Sequence, residues 1–334
     1  MRFRWPWSRK PKPPQYPARR NGFNAAFAAN YAGITGFVPL LRELGACSPG
    51  FVLRFPGGTL ANYTHTSGRG YGLVHSEIAN APQSIAEQFA KDQSTTANHL
   101  DTMVALAKDS GAAVLWVANL YTGRLIETVE AIGAFKAAGV EVVGVELGNE
   151  WYLTRYRDKY RDVYDYATQA KAWRDEIKRN WPDMPVGVIV APSAGMKDAD
   201  SGRGRAKILS AANEVLRDLK WPDAYVLHSY AQAADPAGHR DALRDHLDTF
   251  AKPVWITEWN LHGTENGGTA TQLMHYGAMM DMLDEVPKVT VQTLHNLAAT
   301  GEGYNVVRCK VRGAELTRLG EVILERNNTK RNNV

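Results

Sequence analysis

Eight times after about residue 20, a short run rich in β-branched residues is followed by a longer amphipathic stretch, and this alternation constrains the fold more than any other feature of the chain. It implies parallel strands joined by helical crossovers. Strands are expected at Gly22–Phe27, Phe51–Phe55, Val114–Asn119, Val142–Leu147, Val186–Ala191, Ala224–Ser229, Val254–Thr257 and Val289–Leu294. Helices are expected at about Thr35–Gly45, Ser94–Ser110, Arg124–Ala138, Asp162–Asn180, Arg205–Leu219, Ala237–Phe250, Ala270–Asp284 and Leu316–Glu325. Several strands are almost continuously apolar, as strands covered on both faces must be. Gly45, Gly111 and Gly139 fall just past helix ends, where glycine takes a left-handed backbone most cheaply. Eight such units close an α/β barrel, a (β/α)8 TIM barrel of roughly 250 residues. An open doubly wound sheet would need a phosphate loop near its first turn. Pro56-Gly57-Gly58 is not GxGxxG, and GxxxxGK[ST] does not occur.

The 334 residues carry 39 basic and 35 acidic side chains, and part of the basic excess lies in the first twenty. No basic patch later in the chain suits nucleic acid, so no nucleic-acid partner is expected. Residues 1–20 form a basic, Pro/Trp-rich arm. Pro6, Pro11, Pro13, Pro14 and Pro17 deny it a helix, which leaves an exposed arm that can dock on a protein partner, or a leader without structure. Residues 21–330 make up the barrel as a single domain, with no room for an appended β-sandwich domain. The first segment lacks the 7 to 15 apolar residues of a secretory signal, so the expected location is the cytoplasm, or outside after lysis or export with a particle such as a phage. No run approaches the ~18 apolar residues of a membrane span. Cys47 and Cys309 would fall in the neighbouring first and last units. A single bridge there is conceivable, and two free thiols are the expected state.

Two segments carry chemistry. Val145-Glu146-Leu147-Gly148-Asn149-Glu150-Trp151-Tyr152 follows the fourth strand, and Val254-Trp255-Ile256-Thr257-Glu258-Trp259-Asn260 forms the seventh. Each sets a glutamate at a strand's C-terminal end, the face on which such barrels place their active sites. The longest connection, Pro56 to about Gln93, would lie on that same face. A lone glutamate there is usually a solvated charge. Two of them facing one barrel mouth supply what glycoside hydrolysis requires: one carboxyl to protonate the leaving oxygen, and one to attack carbon or activate water. Strand alternation puts Val254 and Ile256 on the inner face with Glu258, Glu146 with Glu150, and His228 with Tyr230. Glu146 would then be a buried charge that needs Arg54 as its partner.

ELGNEWY and WITEWN resemble the signature of the clan A retaining glycoside hydrolases. Leu53-Arg54-Phe55-Pro56-Gly57-Gly58-Thr59 and His228-Ser229-Tyr230 resemble segments of families 39, 51 and 79, and the likeness spans the chain from about Asn21. It implies Glu150 as acid/base and Glu258 as nucleophile. It further implies that Asn149 bonds the sugar 2-hydroxyl, that Arg54 and Tyr230 support the nucleophile, and that His228 is a sugar ligand. The expected substrate is a carbohydrate with β-type linkages in a polysaccharide, oligosaccharide or glycoconjugate.

The mechanism requires Glu258 to be ionised by Arg54 and its hydrogen bonds, while Glu150 carries the proton. Where many clan members end the eighth strand on tryptophan, this chain has His295 and Asn296, which could offer hydrogen bonds instead of a stacking floor. Trp151, Trp259, Tyr63 and Tyr152 are candidates for apolar sugar faces. His65, His75, His228, His262, His275 and His295 show no HExxH or other tight ligand spacing, so neither a metal nor any other cofactor is expected. The alternative to an enzyme is a carbohydrate-binding barrel in a larger assembly such as a phage tail.

Overall fold

The computed structural model describes residues 15–69, 99–192, 203–262 and 268–332, apart from 27, 49 and 302, together with 83, 86 and 87. Most of the expected Pro56–Gln93 connection, residues 94–98 of the second expected helix and the first fourteen residues of the arm lie outside the described residues.

Eight parallel strands close a barrel in chain order: β1 (Arg20–Asn24), β2 (Val52–Phe55), β4 (Ala113–Ala118), β5 (Val142–Leu147), β6 (Val186–Ile189), β7 (Ala224–Gln232), β8 (Val254–His262) and β9 (Val289–Leu294). β1 pairs with β9 to complete the closure. The helices are α1 (Phe37–Ala46), α2 (His99–Ser110), α3 (Leu125–Ala137), α4 (Val163–Asn180), α5 (Arg203–Asp218), α6 (Pro236–Asp248), α7 (Ala270–Asp284) and α8 (Arg318–Asn332). The chain is thus a (β/α)8 TIM barrel. Among the described residues no helix is long and apolar enough to cross a membrane.

Local chemistry starts several helices where the sequence signals them. Asp162 accepts from the backbone N–H groups of Tyr164 and Asp165 at the head of α4. Asp235 accepts from Gly238 N–H ahead of α6, whose first residue is Pro236, and Thr269 accepts from Gln272 N–H at α7. Between strands and helices the core is aromatic, with Trp116 of β4 set against Phe55 and Phe135. Each such buried side chain contributes about 1.5–3 kcal/mol relative to exposure. Cys47 and Cys309 are free and buried.

Four expectations need correction. Gly111 and Gly139 do take positive φ (+72° and +77°), but Gly45 lies inside α1. Its role there is close packing, since a Cβ would meet the Phe51 ring at 2.7 Å. Secondly, β7 and β8 run to Gln232 and His262, past Ser229 and Thr257, because the two strands stay hydrogen-bonded beyond the barrel rim. Thirdly, a small sheet of β10 (Ala298–Ala299), β11 (Val307–Lys310) and β12 (Gly313–Leu316) lies between β9 and α8. Its strands of two to four residues are too short to show a period.

The fourth correction concerns the inner face of β8. Gly187 pairs with Glu146 and faces the same way, and Cβ atoms on Gly187 and Gly144 would meet the Trp255 ring at 2.8 and 2.5 Å. Trp255 therefore fills the barrel interior beneath Glu146, and Val254 and Ile256 face outward. A register shift then inserts one residue: Leu227 pairs with Ile256, but His228 pairs with Glu258. This bulge returns Glu258 to the inner face, directly beside His228. A third strand, β3 (Thr64–Arg69), stands outside the barrel and packs on α3.

Candidate active site

Glu258 lies at the centre of the barrel mouth and is 4% exposed. Its Oε1 accepts from Arg54 Nη1 (2.5 Å), Gly58 N–H (2.9 Å) and Asn24 Nδ2 (3.1 Å). Among the described residues its Oε2 accepts from the Tyr230 hydroxyl (2.9 Å), with His228 Nδ1 at 3.8 Å. One oxygen is saturated, whereas the other keeps lone-pair capacity. Burial works against the charge on Glu258. His228, Arg54 and the Tyr230 hydrogen bond outweigh burial and hold the carboxyl well below the usual carboxylate range. Burial and the neighbouring Glu258 push the Tyr230 phenol well above its ordinary value, so it stays a donor.

The loop after β2 shapes this cradle. Gly57 and Gly58 have φ of +63° and +61°, and a Cβ on Gly57 would meet Asn24 Oδ1 at 1.9 Å. Only glycine at both positions lets the Gly58 N–H approach the carboxylate this closely.

Arg54 is fully buried and shared. It grips Glu146 through Nε (2.8 Å) and Nη2 (2.5 Å), reaches Asn149 Oδ1 from Nη2 (2.9 Å), and holds Glu258 from Nη1. The expected pairing with Glu146 and the expected support of Glu258 are thus made by a single guanidinium. His228 lies between carboxylates, with Nδ1 at 3.1 Å from Glu150 Oε1 and Nε2 at 3.4 Å from Glu146 Oε1. Burial alone would strip its proton, but Glu258, Glu146 and Glu150 push the imidazole up to about 10.

Glu150 stands beyond the end of β5, where strand alternation no longer applies. Gly148 turns the chain at φ +88°, and Glu150 itself adopts φ +45°. This left-handed backbone costs a non-glycine residue about 1–3 kcal/mol and concentrates at functional sites. It turns the Glu150 side chain to His228, with 20% of its surface accessible. One oxygen of Glu150, one of Glu258 and a His228 nitrogen lie within 4.8 Å of one another. That spacing could hold a divalent cation. Within that cluster Arg54 already balances the charge of Glu258.

Of the other expected residues, Asn149 sits beside Arg54 with its Nδ2 buried and without a hydrogen-bond partner among the described residues. His295 joins the site. Its Nδ1 accepts from Asn24 Nδ2 (2.9 Å), and burial lowers its pKa, so the neutral ring carries its proton on Nε2. Asn296 is tied by its backbone to Tyr304 and Val306. Tyr152 reaches Glu150 at 3.4 Å, while Tyr63 is buried edge-on against Tyr121.

Trp151 and Trp259, expected as sugar platforms, point elsewhere. Trp151 stacks on Tyr166 and donates to Ile189 O (2.9 Å), and Trp259 stacks on Tyr276 of α7. Trp259 neighbours an inward glutamate and so faces the helices. Sequence reasoning missed Asn24 and Gly58. A polar residue closing the first strand was a readable signal for Asn24; Gly58 donates only through its backbone and leaves no side-chain signature.

No family model matches the sequence, and no curated protein matches it. Solved structures do share the fold. An α-L-arabinofuranosidase from Thermotoga maritima, in complex with arabinose, aligns with TM-score 0.65 at 14% identity over 93% of this chain and 70% of its own. AbfB, a family 51 α-L-arabinofuranosidase from Bifidobacterium longum, gives 0.62 at 13% identity over 93% and 74%. Gas2p of Saccharomyces cerevisiae, in complex with laminaripentaose, gives 0.53 at 12% identity over 91% and 60%. What the chain shares with them is the fold, a (β/α)8 TIM barrel.

Proposed function

We propose that this protein is a retaining glycoside hydrolase that cleaves β-type glycosidic bonds in a polysaccharide, oligosaccharide or glycoconjugate by double displacement. The observation that carries the reading is the approach of a Glu150 and a Glu258 carboxyl oxygen to within 4.8 Å of each other beside His228. Retaining enzymes set their two carboxyl groups about 5–5.5 Å apart, whereas inverting ones leave room for a water at about 6.5–9.5 Å.

In the first step Glu258 Oε2 bonds to the anomeric carbon as the bond to the leaving oxygen breaks, and Glu150 passes its proton to that oxygen. In the second, Glu150 takes a proton from water as the water oxygen displaces Glu258 from the same carbon. His228 Nδ1, 3.1 Å from Glu150 Oε1, is the hydrogen-bond partner of that carboxyl. The unpartnered Asn149 Nδ2 suits a sugar hydroxyl next to the nucleophile, and His295 Nε2–H offers a second donor from the position where related barrels stack an indole.

The names of the structural neighbours guide the choice of substrates. Turnover is expected within a panel of aryl glycosides spanning pentofuranose, hexopyranose and hexuronic acid. Glu258→Gln lowers kcat by about 10³-fold or more on the active sugar. Glu150→Gln costs about 10²–10⁴-fold on a phenyl glycoside and much less on a 2,4-dinitrophenyl glycoside, whose leaving group needs no proton. Wild-type turnover in either variant, with the fold intact by circular dichroism, contradicts the assignment.

A further inference from the structure

The positive φ of Glu150 raises the question of what holds it. That angle is the torsion between the carbonyl carbon of Asn149 and that of Glu150, so it is fixed when both carbonyls are fixed. Each has its own donor. Leu153 N–H binds the Glu150 carbonyl at 2.9 Å, closing a turn within the same loop. The Asn149 carbonyl is bound from outside the loop by Asn62 Nδ2 at 3.0 Å.

Asn62 is 2% exposed and sits at the end of a short 3₁₀ turn, Thr59–Asn62, just past the Gly57-Gly58 cradle. It is itself braced. The Thr122 hydroxyl donates to the Asn62 carbonyl (2.8 Å) and accepts from Asn119 Nδ2 (3.0 Å). His65 Nε2 lies 3.2 Å from the same hydroxyl, and its Nδ1 lies 3.0 Å from Glu127, which caps α3 by accepting from Arg124 N–H. A continuous run of polar contacts, buried or partly buried, thus leads from the head of α3 to the peptide that carries Glu150.

We propose that Asn62 is a positioning residue that holds the Glu150 backbone in its left-handed conformation and so aims the carboxyl at the leaving oxygen. The inference rests on the glycosidase reading, but it assigns a role to a side chain that acts through a backbone carbonyl rather than through either carboxylate. Asn62→Ala frees the Asn149 carbonyl, and the backbone of residue 150 relaxes to negative φ, carrying its side chain away from His228. Glu258 keeps its own donors from Arg54, Gly58, Asn24 and Tyr230, so bond formation to carbon is spared and proton donation is lost.

The test compares phenyl and 2,4-dinitrophenyl glycosides of whichever sugar the wild-type protein turns over. Asn62→Ala is expected to lower kcat/KM about 10–100-fold on the phenyl glycoside and less than about 3-fold on the dinitrophenyl one. Thr122→Val, which removes the brace without touching the amide, gives a smaller change in the same ratio and serves if Asn62→Ala does not fold. Equal losses on both substrates, or no loss on either, overturn the proposal. If the wild-type protein turns over none of the aryl glycosides, it is the glycosidase reading that fails. The proposal is then decided by the crystal structure of Asn62→Ala, or of Thr122→Val in its place: a negative φ at Glu150 supports it, and retention near +45° overturns it.

Discussion

Arg54 balances two carboxylates without any contact with solvent, and its removal would leave Glu146 and Glu258 as neighbouring buried anions. Breaking a buried ion pair from one side costs about 3–5 kcal/mol, because the charge left behind is neither solvated nor paired. Arg54→Leu is therefore expected to lower stability by about that amount in a urea titration. Arg54→Leu with Glu146→Leu should recover much of it, since the inner pair is then replaced by apolar volume, yet activity should stay low because Glu258 still lacks its cation. Recovery of activity in the double variant would mean that Arg54 serves only Glu146. Both roles of Arg54 were legible in sequence: a buried glutamate next to last in its strand demanded a cation that the arginine next to last in β2 could supply, and the family resemblance implied its support of Glu258. The involvement of Asn62 was not legible, since its contact is to a backbone carbonyl far along the chain and has no spacing of its own.

At the scale of elements, the β2 loop and the β8 bulge do the placing. Gly57 has both a left-handed φ and Asn24 Oδ1 at 1.9 Å from where a Cβ would stand. Gly57→Ala should cost about 1–3 kcal/mol from the strained backbone alone. It should also displace the Gly58 N–H from Glu258, so that kcat falls by more than stability does. An alanine variant with unchanged kcat would show that the cradle is dispensable. The strands themselves were readable from their apolar runs, and β5 and β9 begin and end where expected. Strand phase was not. Counting by twos from Glu258 put Ile256 inside the barrel, whereas the inserted residue near Thr257 hands that place to Trp255. A bulge is set by pairing with the next strand, and one strand's sequence does not record it. The same counting aligned Glu150 with Glu146, but β5 ends at Leu147 and the positive φ at Gly148 and Glu150, rather than strand alternation, sets where Glu150 points.

For the whole molecule, the charged site couples folding to pH. The depressed pKa of Glu258 contributes stability that is present above the unfolded carboxyl value, near 4.5, and lost as pH falls toward the folded one. His228 acts in the opposite sense. Its contribution is complete below the unfolded value of 6.5 and declines as pH rises to about 10. These two groups together favour the fold most between about pH 4.5 and 6.5. His228→Leu should flatten the alkaline decline in urea midpoint between pH 6 and 9.5, and an unchanged slope in that variant would show that His228 does not carry the extra proton. The barrel could be foreseen because eight repeats of one simple pattern leave few other closures. The small sheet before α8 and the inward turn of Glu150 depend on contacts between distant segments, and local pattern does not encode those. The central claim is that Glu258 becomes bonded to sugar carbon, and trapping tests it most directly. A 2,4-dinitrophenyl 2-deoxy-2-fluoro glycoside of the active sugar should release one equivalent of dinitrophenol, and peptide mass spectrometry should find the fluorosugar on Glu258. Turnover of the parent glycoside with no label, or with label on another residue, would contradict it.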